Sequence, residues 1–181
     1  MHMAQAPLVR TAGDQDIPAI AAIYAHHVLH GLASFELEAP DAREMAKRRA
    51  HITELGLPYL VAQIGGCVAG YAYAAPYRAR PAYRHTVEDS IYIHHDFSGR
   101  GAGSALMAAL IAACETAGHR QMIAVIGDSA NTASIGLHAK FGFARAGLLP
   151  AVGWKFGRWV DSVLMQRALG AGDGAPPAEP G

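Results

Sequence analysis

Residues 98–104, Ser-Gly-Arg-Gly-Ala-Gly-Ser, place glycine at every second position and open directly into an alanine-rich apolar run. Glycine lacks a Cβ, so backbone N–H groups in such a turn can come close to an anion. A helix starting there adds the positive end of its dipole. Amides from Gly99 to Ser104 could therefore cradle a phosphate or pyrophosphate. A Walker-type loop would need a lysine after its last glycine; none follows, and that reading fails. A dinucleotide fingerprint, GxGxxG, is matched only in part, because its third glycine position is Ser104 or Leu106 and no acidic residue stands about 20 positions on. A plain tight turn is the remaining alternative.

Other groups could do chemistry near this turn. Two carboxylates, Glu88 and Asp89, precede it in an alternating run, so their side chains point to opposite faces of a strand. Asp89 is expected to face solvent. Arg78, Arg80 and Tyr83 occupy a loop just upstream; a guanidinium there could grip a carboxylate or another oxyanion in a bidentate pair, with Tyr83 closing the pocket. As plain surface, the same residues would be an exposed basic loop. His26, His27 and His30, with the triplet His94-His95-Asp96, suggest a metal. His26 and His30 have the i, i+4 spacing that zinc sites use, but no third ligand is placed with them. No metal is expected.

The elements that must position these groups are readable from punctuation and period. "PLVRTA" reads as a short strand. Ile17, Ile20, Tyr24 and Val28 recur at helical spacing, between Asp14 or Asp16 as cap and Gly31 as stop. "DAREMAKRRAHITELG" reads as a second helix with a charged face. Gly65-Gly66 between two β-rich runs marks a hairpin over residues 59–78. "HTVEDSIYIH" is a strand, 101–117 a helix, "QMIAVIG" a strand and 131–142 a helix. "FARAGLLPAVG" and "RWVDSVLMQRAL" close the chain as strands. Hairpin pairing first and strand–helix alternation later give an α/β or α+β class around a mixed sheet. Residues 1–169 are expected to form one domain, and the Gly/Ala/Pro-rich residues 170–181 a disordered tail.

The bulk numbers narrow the partners. With 15 Lys+Arg against 15 Asp+Glu in 181 residues, the formal charge is zero, which gives no support to nucleic-acid or anionic-membrane binding. Two cysteines, Cys67 and Cys114, are too few for a disulfide framework and point to a reduced, cytoplasmic setting. The N-terminal ten residues contain no apolar signal region, and no run is long and apolar enough for a membrane span.

The glycine turn lies inside a longer pattern that resembles the GNAT superfamily of N-acetyltransferases, whose motif [QR]xxGxG[AG] binds the pyrophosphate of acetyl-CoA. Here the register is Ser98-Gly99-Arg100-Gly101-Ala102-Gly103-Ser104. Ser98 stands where the family has Gln or Arg, and Ser104 where a small residue or glycine is common. "PYRARPAYRHTVEDSIYIH", "MIAVIGDSANTASIGLHAKFGF" and "VGWKFGRWVDSVLMQ" are similar to segments of the phosphinothricin and methionine sulfone/sulfoximine N-acetyltransferases, and "SFELEAP" fits their early substrate loop. The similarity runs over roughly residues 7–167.

The resemblance implies a GNAT fold: a central mixed, twisted sheet of about seven strands flanked by helices, with a splayed strand pair that binds acetyl-CoA. It implies acetyl transfer to the α-amino group of a small amino-acid-like acceptor. An amine of pKa about 8–10 must lose a proton before it attacks, and the resemblance gives Glu88 the role of general base. Backbone groups of Ile91, Tyr92 and Ile93 would bind the acetyl group and pantetheine. Asn131 would contact pantetheine while also serving as a helix N-cap. His138 falls where many members carry a tyrosine proposed to protonate the leaving thiolate; an acid and an orienting role are both open. Phe35 would pack on the acceptor's stem. Relatives are typically dimers, and Trp154, Phe156 and Trp159 supply more aromatic surface than a closing strand needs. Other readings are a GNAT enzyme acting on a protein N-terminus or a polyamine, and a non-catalytic acetyl-CoA-binding module.

Overall fold

The computed structural model describes residues 5–177; the outermost parts of the expected domain and tail, residues 1–4 and 178–181, lie outside them. In chain order the elements are β1 (Leu8–Thr11), α1 (Ile17–His30), α2 (Ala42–Glu54), β2 (Tyr59–Ile64), β3 (Cys67–Pro76), β4 (Thr86–Ile93), α3 (Ala102–Thr116), β5 (Gln121–Gly127), α4 (Thr132–Lys140), β6 (Ala144–Lys155) and β7 (Arg158–Ala168). The strands form one seven-stranded sheet in the order β1-β2-β3-β4-β5-β7-β6. All its ladders are antiparallel except β4 with β5, which α3 joins as a parallel crossover.

Local sequence sets the element ends. Ile17, Ile20, Ile23, Tyr24 and Val28 form the buried stripe of α1, which stops at Gly31. Asp41 caps α2 by accepting from the Glu44 amide at 2.7 Å. The β2–β3 hairpin turns on Gly65 and Gly66, both at positive φ as such a turn requires.

Side-chain alternation gives the central strands two distinct faces. Glu88, Ser90 and Tyr92 of β4 stand opposite Ala75, Tyr73 and Tyr71 of β3 in the ladder, so these six share a face. This face packs beneath α1, with the Tyr24 ring edge-on to Tyr92 at 5.0 Å. Asp89, Ile91 and Ile93 point the other way, towards α3 and α4. There the buried Leu106, Met107 and Leu110 of α3 join Val87, Ala72 and Ala74 in the main core.

Close approach fixes the loop that follows α1. A Cβ on Gly127 would lie 2.1 Å from the Leu32 carbonyl oxygen, and one on Gly153 would lie 2.4 Å from the Phe35 ring. Lys155, 3% exposed, donates to the Ser34 carbonyl at 2.6 Å. Residues 32–36 are thus pinned onto β5 and β6. In the described part of the tail, residues 170–173 form turns. Arg120 gathers them by donating to the carbonyls of Gly172, at 2.9 Å, and Ala175.

Candidate active site

The parallel ladder between β4 and β5 covers only Thr86–Asp89 against Gln121–Ala124. Beyond it β4 continues to Ile93 on the β3 side, and β5 continues to Gly127 on the β7 side. From Ser90 onward the two strands diverge. A gap of about 50 Å³ opens between Ser90–Tyr92 and Val125–Gly127. On the α3/α4 side it meets a groove of about 570 Å³, and on the α1 side a chamber of about 420 Å³. Ala33 lines all three, so the gap connects one face of the sheet with the other.

The groove holds the glycine turn. Gly99 and Gly101 adopt φ of +74° and +85°, a conformation that disfavours other residues. Gly101 is the N-cap of α3 and brings no side-chain cap, which leaves the first amides of the helix free to meet an anion. Ser98, Gly99, Gly101, Ala102, Gly103 and Ser104 all line the groove, as do Ile91, Ile93 and Asn131. Arg100 lies over the Phe97 ring at 5.2 Å and is not among the lining residues. Asn131 caps α4, accepting from the Ser134 amide at 3.1 Å, and still borders the groove. Lys140 reaches the turn from the end of α4 and donates to Ser104 Oγ at 3.0 Å. The donor set suits a phosphorylated ligand: backbone amides at a helix start with one ammonium beside them.

Glu88 faces the chamber, together with Tyr24, Phe35, Glu36, Tyr73 and Tyr92. Tyr92 therefore turns its ring to this side while Ile91 and Ile93 face the groove. Burial lifts the Glu88 carboxyl above its ordinary range; Arg78 opposes the shift and Asp89 adds to it. The wall opposite is a fixed network. The Tyr24 hydroxyl donates to Glu36 at 2.8 Å and lies 2.9 Å from Ser34 Oγ, while Arg48 holds Glu36 at 2.6 Å. Burial pushes the Tyr24 phenol up to about 12, so it stays a neutral donor. Arg78, Arg80 and Tyr83 are exposed and are not among the residues lining the chamber. Arg78 lies over Tyr77, 4.2 Å from its ring centre, close enough to act on Glu88 by charge alone.

Asp89 corrects the expectation that it faces solvent. Its side chain is 1% exposed and accepts from His138 Nε2 at 2.9 Å. Alternation does place it opposite Glu88, but β4 is central and that opposite face lies under α3 and α4. His138 Nδ1 is 2.7 Å from the Ser134 carbonyl oxygen. Two acceptors require an N–H on each nitrogen, which describes an imidazolium. Burial works against this charge, but the hydrogen bond and charge of Asp89, with the Ser134 carbonyl, raise the His138 pKa. Both its protons are committed to the protein. Glu88 and His138 stand on opposite faces of the sheet.

Sequence reasoning missed Lys140, Tyr24, Tyr73 and the Glu36–Arg48 pair. The spacing of Tyr71 and Tyr73 in β3, one residue apart on a shared face, was a local signal for the tyrosines. Beside the helical pair His26 and His30, His95 stacks face to face on His26 with ring centres 4.3 Å apart.

Residues 26–143 match the acetyltransferase (GNAT) family. The chain is 59% identical to a phosphinothricin N-acetyltransferase of Alcaligenes faecalis over 91% of its length and 84% of the relative's. It is 41% identical to an L-methionine sulfoximine/L-methionine sulfone acetyltransferase of Pseudomonas aeruginosa, over 93% of this chain and 98% of that one. The crystal structure of a phosphinothricin acetyltransferase from Sinorhizobium meliloti, solved in complex with acetyl-CoA, superposes with a TM-score of 0.93 at 46% identity. That match covers 96% of this chain and 94% of the other.

The buried pair makes a prediction with a definite sign. The folded pKa of His138 lies above the unfolded value of about 6.5, so the pair's stability is fully present below about pH 6.5 and is lost as pH rises through the raised value. Asp89→Asn, which leaves a buried imidazolium unpaired, is expected to cost about 3–5 kcal/mol at mildly acidic pH. The gap from wild type should narrow on the alkaline side. Urea unfolding of both proteins across pH 5.5–9 measures it; a pH-independent gap would contradict the ion pair.

Proposed function

The chain belongs to the acetyltransferase (GNAT) family, and on that premise we propose how it transfers the acetyl group of acetyl-CoA to the α-amino nitrogen of a small amino-acid-like acceptor. The acceptors are of the phosphinothricin, methionine sulfone or methionine sulfoximine type. The reading rests above all on the stretch of β4 without a β5 partner, which borders a groove lined by the glycine turn on one side of the sheet and a chamber with the half-buried Glu88 on the other.

In this reading Gly99–Ser104, with Ser98, Arg100 and Ala102 in the same turn, hold the coenzyme's pyrophosphate on backbone amides, and Lys140 offsets its charge. Those backbone groups of Ile91, Tyr92 and Ile93 that neither β3 nor His27 takes up bind the pantetheine arm and polarise the thioester carbonyl. Asn131 steadies the arm from α4. Acetyl-CoA supplies an activated acyl group, and no metal is needed. Glu88 takes a proton from the acceptor's ammonium, directly or through water, and burial improves it as a base near neutral pH. The freed amine attacks the carbonyl carbon, the C–S bond breaks, and the proton that the nitrogen then sheds passes to the leaving thiolate, which departs into the groove as the thiol. His138, with both N–H groups engaged, orients α4 against β4 rather than supplying that thiolate's proton. Phe35 packs on the acceptor's stem. Arg78 and Arg80, with Tyr83, meet its anionic oxygens at the chamber rim.

Residues 1–169 act as one catalytic domain with 170–181 as a tail. No described helix is long and apolar enough to cross a membrane, and the unpaired Cys67 and Cys114 support a cytoplasmic location. Leu148, Leu149, Val152, Trp154, Phe156 and Trp159, each at least 43% exposed, crowd one hairpin. An apolar surface of this kind supports a homodimer. Sedimentation at micromolar protein should give twice the 19.0 kDa chain mass, and a monomer would overturn the dimer.

A thiol-release assay tests the function. Phosphinothricin, methionine sulfone and methionine sulfoximine should outrank plain methionine, because their extra oxygens give the arginine loop more to bind; spermine should be refused. Glu88→Gln should lower kcat by about 10²- to 10⁴-fold and leave the KM for acetyl-CoA near normal. The acid limb of the wild-type rate profile, set above the usual carboxylate range, should vanish with it. A loss below about threefold would remove Glu88 as the base.

A further inference from the structure

Between α2 and strands β2 and β3 lies a space of about 230 Å³ that acetyl transfer does not use. Its sheet side is a wall of three tyrosines. The rings of Tyr59, Tyr71 and Tyr73 stand no more than 10° from parallel, with centres 5.0–6.4 Å apart. The buried Met45 and Ile52 face them from α2. A flat aromatic wall opposite aliphatic side chains suits a planar ring laid between them. Tyr24 and Tyr73 also line the Glu88 chamber, whereas Tyr71 and Ala75 line this space alone. The Tyr24 hydroxyl is held by Glu36 at 2.8 Å and the Tyr73 ring stacks on Tyr59 at 5.0 Å, so the two rings stand as a partition.

The polar groups on the lining narrow the occupant. Arg48 brings a charge but commits it to Glu36 at 2.6 Å and Glu44 at 3.1 Å. Burial holds the Tyr59 and Tyr71 phenols above their ordinary pKa, so both stay neutral. The Tyr71 hydroxyl is different in kind. Its residue is 0% exposed, and the oxygen has no hydrogen-bond partner among the described residues. A buried hydroxyl without a partner is costly, and a ligand group that pairs with it recovers that cost. We propose that this space is a binding site, distinct from the chamber, for one small neutral aromatic molecule whose hydroxyl or N–H group pairs with Tyr71. The size is that of phenol or indole: an apolar cavity of about 150 Å³ already holds benzene. A charged ligand would be desolvated against tyrosine and aliphatic surface with no free counter-charge to meet it. The site stands on the cavity and its hydroxyl, whatever the acceptor of acetyl transfer.

Calorimetric titration of the full chain with phenol, and in parallel with benzene, tests it. One molecule of each is expected per chain. Tyr71→Phe should bind phenol about 2- to 12-fold more weakly and benzene as wild type does, since it removes one hydrogen bond and no apolar surface. Without ligand the variant should melt no lower than wild type, because the hydroxyl it lacks has no partner to lose. Ala75→Leu, which puts a larger side chain into the space, should lose both ligands, with circular dichroism to check its fold. Phe35→Leu, which alters the chamber and not this space, should bind phenol as wild type does. No phenol bound by wild type, or undiminished binding by Tyr71→Phe or Ala75→Leu, would overturn the site. A lower melting temperature for Tyr71→Phe would show the hydroxyl already paired and overturn its role. Loss of phenol with Phe35→Leu would put the ligand in the chamber and overturn the distinct site.

Discussion

Everything at this site depends on one interruption of backbone pairing, the divergence of β4 from β5 after Asp89 and Ala124. Buried backbone groups are normally paired, so a stretch of central strand without a neighbour is costly unless another partner completes it. The sheet tolerates the split because each strand keeps its other neighbour: β4 stays on β3, and β5 stays on β7. The unpaired edge is then held open between two covered faces, where an extended ligand can act as a partial extra strand. At the apex, Asp89 is both the last paired residue and the anchor for His138. One residue earlier, Glu88 points the other way. Alternation alone thus separates adjacent carboxylates: Asp89 is tied to His138, and Glu88, the proposed base, faces the chamber.

The chamber side is built from a loop that could not hold its shape unaided. Residues 32–36 have no regular hydrogen-bond ladder; they are fixed by Lys155 on the Ser34 carbonyl and by Phe35 seated against Gly153 and Gly127. Burial lowers the Lys155 pKa, with Glu36 opposing that effect. The anchor comes from β6, whose hairpin with β7 also carries the exposed Trp154, Phe156 and Trp159. The proposed acceptor chamber and the proposed subunit contact therefore share a structural element. Burying those aromatic rings in a dimer would stiffen the support of the loop that shapes the chamber.

Much of this was legible in the sequence where local rules decide. The glycine turn could be read because its conformation needs glycine at particular positions, and α1, the β2–β3 hairpin and α3 because their caps and periods are local. Asp89 was misread for a reason that is not local. Alternation says that it opposes Glu88, but whether the opposing face is wet depends on the strand's place in the sheet, which is set by pairings with distant segments. The same holds for Tyr24, Tyr73 and Lys140, which reach the site from three separate elements. His95 joins His26 and His30 through the same long-range folding. The hold of Arg120 on the Gly172 carbonyl spans about 50 residues of sequence, a separation composition cannot see. Arg78 and Arg80 were read as pocket residues from type and position; their side chains stand exposed, outside the residues that line the chamber.

A crystal structure with acetyl-CoA and an unreactive acceptor analogue tests the central claim, that the split is the passage through which acetyl transfer occurs. The acetyl carbon should sit in the gap between Ser90–Tyr92 and Val125–Gly127, with the acceptor nitrogen on the Glu88 side of the sheet. An acetyl group left in the α3 groove, or an acceptor bound on the His138 side, would contradict it.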